Sequence, residues 1–166
     1  MTEHARLEDR DEILRRQVVD SWTKADGSPM SVAFAPTPKD RRHLSTDREC
    51  ISAEDSFKRY QEREGVSPAA TWPIKVGTAL DAHKCLPQPP SSSAELHVLD
   101  DGGTENLPDG HASVVYAEAY EGVTSKNGSR KIDERLATEI KKAAIATGPL
   151  YSAPPLDDLD APDDAS

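Results

Sequence analysis

Pro29-Met30-Ser31-Val32-Ala33-Phe34-Ala35-Pro36-Thr37-Pro38-Lys39-Asp40-Arg41-Arg42-His43-Leu44-Ser45-Thr46-Asp47-Arg48 is the stretch on which the reading of this chain turns. Val32 and Phe34 alternate with Ser31, Ala33 and Ala35, a period of two that predicts a half-buried strand over residues 30–35. Pro36 and Pro38 stop it, because neither can donate to a sheet ladder. Thr37, held between them, is pushed toward extended backbone. The loop that follows sets Lys39, Arg41, Arg42 and Arg48 against Asp40 and Asp47, with His43 among them. Ser52 is a good N-cap, and Glu54 and Asp55 put acid in the first turn of a helix predicted over residues 52–64. Phe57 and Tyr60 share its apolar face, Lys58, Arg59, Glu62 and Arg63 its wet one, and Gly65 ends it.

Outward from that stretch, residues 16–23 are β-branched and aromatic enough to predict a first strand. The turn Asp26-Gly27-Ser28-Pro29 joins it to residues 30–35, so the two are expected to pair antiparallel. Residues 71–77 read as a third strand, with Pro73 favouring an edge. A helical turn over 80–86 precedes the Pro/Ser-rich loop at 87–93. Residues 96–99 and 111–120 read as further strands, separated by the Asp100-Asp101-Gly102-Gly103 turn. Residues 125–129 read as a polar loop whose Asn127-Gly128 predicts a positive-φ turn. Over 130–147, Ile132, Leu136, Ile140, Ala143 and Ala144 fall on one helical face, and Gly148 and Pro149 close the helix. The expected architecture is α+β: a small, mainly antiparallel sheet of about four or five strands with two helices on one face. Residues 1–14 are expected to be a charged, partly frayed N-terminus, 15–149 a single domain, and 150–166 a disordered Pro/Asp-rich tail.

At 166 residues the chain suits one domain with a modest core, since aromatics are only 5% and prolines number 13. The net charge is -10, and half of it comes from Asp157, Asp158, Asp160, Asp163 and Asp164. Such a chain is repelled by phosphate polymers, which argues against general nucleic-acid binding. No apolar run is long enough to span a bilayer and no secretory pattern opens the chain. Two cysteines are too few for a disulfide framework, so a soluble, cytoplasmic protein with reduced thiols is expected.

Arg16-Gln17-Val18, Ser31-Val32-Ala33-Phe34-Ala35-Pro36-Thr37-Pro38-Lys39-Asp40, Leu44-Ser45 and Pro108-Asp109-Gly110-His111-Ala112 resemble segments shared by a set of small uncharacterised bacterial proteins. The likeness is close in those segments and loose over most of residues 15–148. It implies a shared fold and carries no activity with it.

Two places are candidate sites. In the first, Lys39, Arg41, Arg42 and Arg48, with the hydroxyl of Ser45, suit a phosphate or carboxylate ligand, because guanidinium forks match those anions. The competing reading is a loop whose bases pair with Asp40 and Asp47. The second is His111, at the start of an apolar strand, where an imidazole can act as a catalytic base. Its competing reading is a hydrogen-bonded structural histidine. His83-x-Cys85 lacks a second ligand pair, so no metal is expected. Trp22 and Trp72 read as core anchors rather than a ligand-stacking pair. There is no phosphate-binding Gly-rich loop, His-Glu-x-x-His, Cys-x-x-Cys or Gly-x-Ser-x-Gly, and no cofactor is predicted. The leading expectation is therefore an accessory or regulatory protein that works through a protein partner. One alternative is an enzyme on a phosphate-bearing small molecule or nucleotide, with the Arg-rich loop holding the anion and His111 moving a proton. Another is an acidic inhibitor or antitoxin that blocks a basic surface.

Overall fold

Local chemistry fixes the helices. The structure, a computed structural model, describes residues 4–37, 42–104 and 106–153. In α1, Ala53–Glu64, the Ser52 hydroxyl accepts from the Asp55 N–H at 3.1 Å, and Gly65 ends the helix at φ 72°. A second helix, α2, is short and spans Val76–Asp81. The long helix α3, Lys126–Thr147, begins four residues earlier than predicted. Ser125 caps it by accepting from the Gly128 N–H at 3.0 Å. Residues 125–129 are thus a cap and first turn rather than a loop, and the expected positive-φ turn at Asn127-Gly128 is absent. The hydroxyl cap supplies a local hydrogen bond that outweighs the turn preference of the pair.

Seven strands form one antiparallel sheet: β1 Ala5–Arg6, β2 Ile13–Val18, β3 His43–Asp47, β4 Ala70–Lys75, β5 His97–Asp100, β6 His111–Val115 and β7 Tyr151–Ser152. Their order is β1-β5-β6-β3-β2-β4-β7. The α+β class stands, with a sheet larger than the four or five strands expected. The additional strands are two very short ones at the edges, β1 and β7, and the polar strand β3. Pro73 sits where β7, which pairs only with Ala70 and Thr71, leaves the outer side of β4 open.

Several expectations are corrected. Residues 31–34 form a 3-10 helix, not a strand. Its Phe34 and Ala33 are fully buried while Val32 is 44% exposed, and the Tyr116 hydroxyl donates to the Phe34 carbonyl. The tight turn buries the consecutive residues Ala33 and Phe34 and turns Val32 outward, so the alternating pair Val32 and Phe34 does not share a face. The first strand therefore pairs with β3 and β4, not with residues 30–35. Near the N-terminus, β1 pairs with β5, Leu7 is buried and Leu14 is fully buried. At the other end, Tyr151 and Ser152 belong to the sheet, so order extends into the stretch expected to be tail. Residues 154–166 lie outside the described residues.

The two long helices pack on opposite faces, not on one. Leu14, Val18, Leu44, Trp72, Ile74, Val98, Ala112 and Val114 point to the α3 side and join Leu136, Ile140 and Ala144 in the apolar core. Each fully buried leucine or isoleucine there contributes roughly 2 kcal/mol by apolar burial. On the α1 side of the same strands the alternation places a group of polar residues, Gln17, Ser45, Asp47, Thr71, His111 and Ser113. Thr71 Oγ1 donates to Gln17 Oε1 at 2.6 Å, Gln17 Nε2 to Ser56 Oγ at 2.7 Å, and Ser56 Oγ to Asp47 Oδ2 at 2.6 Å. This relay locks α1 to the sheet by satisfied hydrogen bonds, which specify a single register more strictly than apolar contact does.

Candidate functional site

Antiparallel pairing of β3 with β6 puts Ser45 opposite Ser113 and Asp47 opposite His111. Ser45 and His111 are thus diagonal neighbours on the polar face, although 66 residues apart. β5 lies on the other side of β6, and Asp100 faces Ala112, so Asp101 follows directly beside His111. The chain turns there without room for a side chain: a Cβ on Gly102 would lie 2.6 Å from the His111 nitrogen and from the Pro108 carbonyl. The glycine lets Asp101 approach the strand closely.

These placements make a continuous relay. Ser45 Oγ lies 2.6 Å from His111 Nε2, and His111 Nδ1 lies 2.6 Å from Asp101 Oδ1. The Ser113 hydroxyl donates to the second oxygen of Asp101. His111 and Asp101 are 2% and 3% exposed, whereas Ser45 is only half-buried. Burial pushes the Asp101 carboxyl up, and hydrogen bonds from His111 and Ser113 more than reverse this, leaving it below the ordinary carboxylate range. Asp101 is therefore a charged acceptor, so Nδ1 carries the imidazole proton. In neutral His111, Nε2 is then the acceptor and Ser45 the donor. This is the tautomer that serine activation by histidine requires.

The exposed end of the relay opens where the sheet parts. β2 and β3 are paired at one position, Arg15 with Asp47. Beyond it, Arg16 donates Nη1 to the Ser45 carbonyl at 3.0 Å and Nε to the Ala33 carbonyl at 2.8 Å, with its guanidinium over the Trp22 ring. Ser45 borders a small cleft there, with Arg15, Arg16, Tyr60 and Arg63 among its walls and a volume of about 30 Å³. That volume holds a water or one small reacting group, not a whole ligand. Arg15 and Arg63 give this mouth a positive rim.

The predicted anion loop is divided by the structure. Arg42 turns to the α3 side, opposite the face of Ser45. Its two guanidinium nitrogens bind Asp133 at 2.6 and 2.8 Å, and it also donates to the Ala117 carbonyl and the Tyr120 hydroxyl. Arg48 forks onto Glu12 at 2.7 and 2.9 Å and reaches Asp100 at 3.1 Å. The Arg48 hydrogen bond is the largest influence on Glu12 and leaves its carboxyl below the ordinary range despite burial. Both arginines thus bind acids far along the chain, and Asp47 instead accepts from Ser56 and lies 3.6 Å from Arg59; Asp40 lies outside the described residues. Lys39 and Arg41 lie outside the described residues. Of the predicted set, the structure brings together Ser45 and His111; Arg48 donates its backbone N–H to the Gly110 carbonyl beside His111, but the guanidinium groups of Arg42 and Arg48 are held by Asp133 and by Glu12 and Asp100.

Sequence reasoning missed Asp101 and Ser113, and the rim residues Arg15 and Arg63. Asp101 stood inside an Asp-Asp-Gly-Gly segment read only as a turn. The available signal was a carboxylate beside a glycine, ten residues before a strand-leading histidine. His83 Nδ1 lies 3.0 Å from the Leu80 carbonyl, and burial raises the Cys85 thiol. Among the described residues no group of three or more His, Cys, Asp or Glu side chains is arranged to hold a metal. Trp72 is a core residue and Trp22 a half-buried one packed beside that core. No helix among the described residues is long and apolar enough to cross a membrane. No protein-family profile, curated protein or solved structure matches this chain.

Proposed function

We propose that the protein is an enzyme that cleaves an ester of a phosphate-bearing small molecule, with Ser45 as nucleophile. The observation that carries this reading is the Ser45–His111–Asp101 relay, buried at its acidic end and open at its serine end. Burying a carboxylate and an imidazole costs several kcal/mol that apolar side chains would avoid. Such departures from the cheapest core cluster at functional sites.

In the first step Ser45 Oγ bonds to the phosphorus while its proton passes to His111 Nε2. Asp101 holds the imidazole in register and stabilises the imidazolium that forms. The same proton goes to the leaving oxygen as its bond to phosphorus breaks. Water then attacks the phosphoseryl group, giving its proton to His111, and Ser45 Oγ leaves with that proton. Arg15 and Arg63 stand at the mouth, where guanidinium groups stabilise charge on phosphoryl oxygens. The test uses p-nitrophenyl phosphate turnover together with covalent capture of Ser45 by a fluorophosphonate. Turnover and capture that vanish in Ser45→Ala support the reading; the absence of both in the intact protein overturns it.

A second reading, an accessory subunit acting through a protein partner, is favoured by a different feature. Met30 and Val32 stand 39% and 44% exposed, two residues apart, at the 3-10 helix beside α3. Apolar side chains grouped on a surface, rather than scattered singly, are where contact sites form. Val32→Asp would abolish retention of such a partner in a pull-down and leave Ser45 capture intact. Equal retention of the partner by the variant would remove this reading.

A further inference from the structure

The sheet-facing side of α1 advances in step with β3. Ser56 Oγ donates to Asp47 Oδ2 at 2.6 Å, which fixes one point of contact between helix and strand. Tyr60 lies four residues further along the same helix face, an advance of about 6 Å. Ser45 lies two residues from Asp47 on the same side of β3, a step of about 6.7 Å. Both steps lead to one cleft, whose walls include Ser45, Asp47, Ser56 and Tyr60.

The cleft has a volume of about 30 Å³, room for one small group. A reacting group held there against Ser45 meets the other walls as well. Tyr60 is half-buried, and among the described residues no hydrogen bond occupies its hydroxyl. Burial, with the charge of Glu64 nearby, pushes the phenol above its ordinary pKa, so it keeps its proton at neutral pH and is a donor. The Arg63 guanidinium lies over the Tyr60 ring, 5.6 Å from the centroid, an attraction that holds the ring at the mouth. Within the relay, Ser45 and Ser113 spend their protons on His111 and Asp101, leaving no donor for the oxygens of a reacting group.

We propose that Tyr60 is a further catalytic residue, whose hydroxyl donates a hydrogen bond to a non-bridging oxygen of the phosphoryl group as Ser45 attacks. The phenol keeps its proton throughout. No bond to Tyr60 forms or breaks, and the Ser45 proton still passes to His111 Nε2. The bond is strongest while phosphorus carries both the incoming and the departing oxygen, so its effect falls on kcat rather than KM. This role rests on the reading of Ser45 as the nucleophile.

The experiment compares the full-length natural chain with Tyr60→Phe, using p-nitrophenyl phosphate as substrate, fluorophosphonate capture of Ser45, and inorganic phosphate and vanadate as inhibitors. The variant keeps the ring under Arg63 and gives up a hydroxyl with no protein partner among the described residues, so it folds, as circular dichroism can check. In Tyr60→Phe, kcat falls about a hundredfold. KM and inhibition by phosphate stay within about twofold, because the ground state loses little. Inhibition by vanadate, which mimics five-coordinate phosphorus, weakens in proportion to kcat, and capture slows. A kcat within about twofold of the natural chain overturns the role, while capture of Ser45 leaves the nucleophile standing. A loss confined to KM, or a lower kcat with vanadate inhibition unchanged, also overturns it and makes Tyr60 a wall of the cleft alone. Neither turnover nor capture in the natural chain removes nucleophile and donor together.

Discussion

His111 Nδ1 and Asp101 Oδ1 are 2.6 Å apart in a setting where both residues are almost wholly buried. The carboxylate stays charged there because the imidazole N–H and the Ser113 hydroxyl both donate to it. Its depressed pKa makes the pair a source of stability with a defined dependence on pH. A group lowered in the folded state stabilises above its unfolded pKa and loses that contribution as pH falls through the folded value. Asp101→Asn should therefore cost about 2 kcal/mol near neutrality. The gap between variant and natural protein should narrow as pH drops below about 4. Urea denaturation at a series of pH values measures both, and a gap that is constant from neutral to acid would remove the charged-carboxylate argument.

Ser45→Ala and His111→Gln should each lower ester turnover by roughly a thousandfold or more, because members of a relay act as one unit. Ser45→Ala should cost about 1 kcal/mol of stability, since it strands Nε2 of the buried His111, and should still fold. His111→Gln keeps a polar, uncharged group, which permits folding to be checked separately by circular dichroism. Equal turnover in the serine variant would rule out Ser45 as nucleophile.

Arg42 is predicted to hold the fold and to leave the chemistry alone. Its guanidinium answers Asp133, the Ala117 carbonyl and Tyr120, and the Asp133 side chain is only 14% exposed. Arg42→Ala strands that carboxylate and should destabilise the protein by about 3 kcal/mol. Fluorophosphonate capture by the folded fraction should be unaltered. A variant as stable as the natural chain but slow in capture would place Arg42 in the site after all.

α1 gives a local test. Removing the Ser52 hydroxyl that accepts from Asp55 should cost about 1 kcal/mol in Ser52→Ala. Gly65→Ala forces a Cβ into φ 72°, with open space around it, so backbone strain alone should cost about 1 kcal/mol. Thermal unfolding of the two variants reads both numbers, and a neutral Gly65→Ala would show that the helix end relaxes freely.

The errors of sequence reading have a common origin. Residues 31–34 alternate like a strand, but four residues are too few to distinguish pleat from tight turn, and the segment packs against α3, with the Tyr116 hydroxyl donating to the Phe34 carbonyl, rather than joining a ladder. The sequence of β3 predicts a loop, because His43, Ser45, Thr46 and Asp47 are polar. It is a central strand because His111, Ala112 and Ser56 supply its side chains with partners. α1 and the body of α3 were legible because their stop signals and apolar spacing lie within the segment itself.

Taken alone, the sequence determined the α+β class, the cap and end of α1, the apolar face of α3 and the candidacy of Ser45 and His111. These depend on neighbours within a few residues, where propensity and spacing act directly. The tertiary structure alone decided that the helices take opposite faces, that Arg42 and Arg48 pair with Asp133 and Glu12, and that Asp101 completes the relay. Those outcomes follow from which strands lie side by side in the order β5-β6-β3-β2. A one-residue slip of β6 against β3 would send His111 to the opposite face, and that register is set by burial of Leu44, Ala112 and Val114 on the far side of the sheet, not by anything near the site.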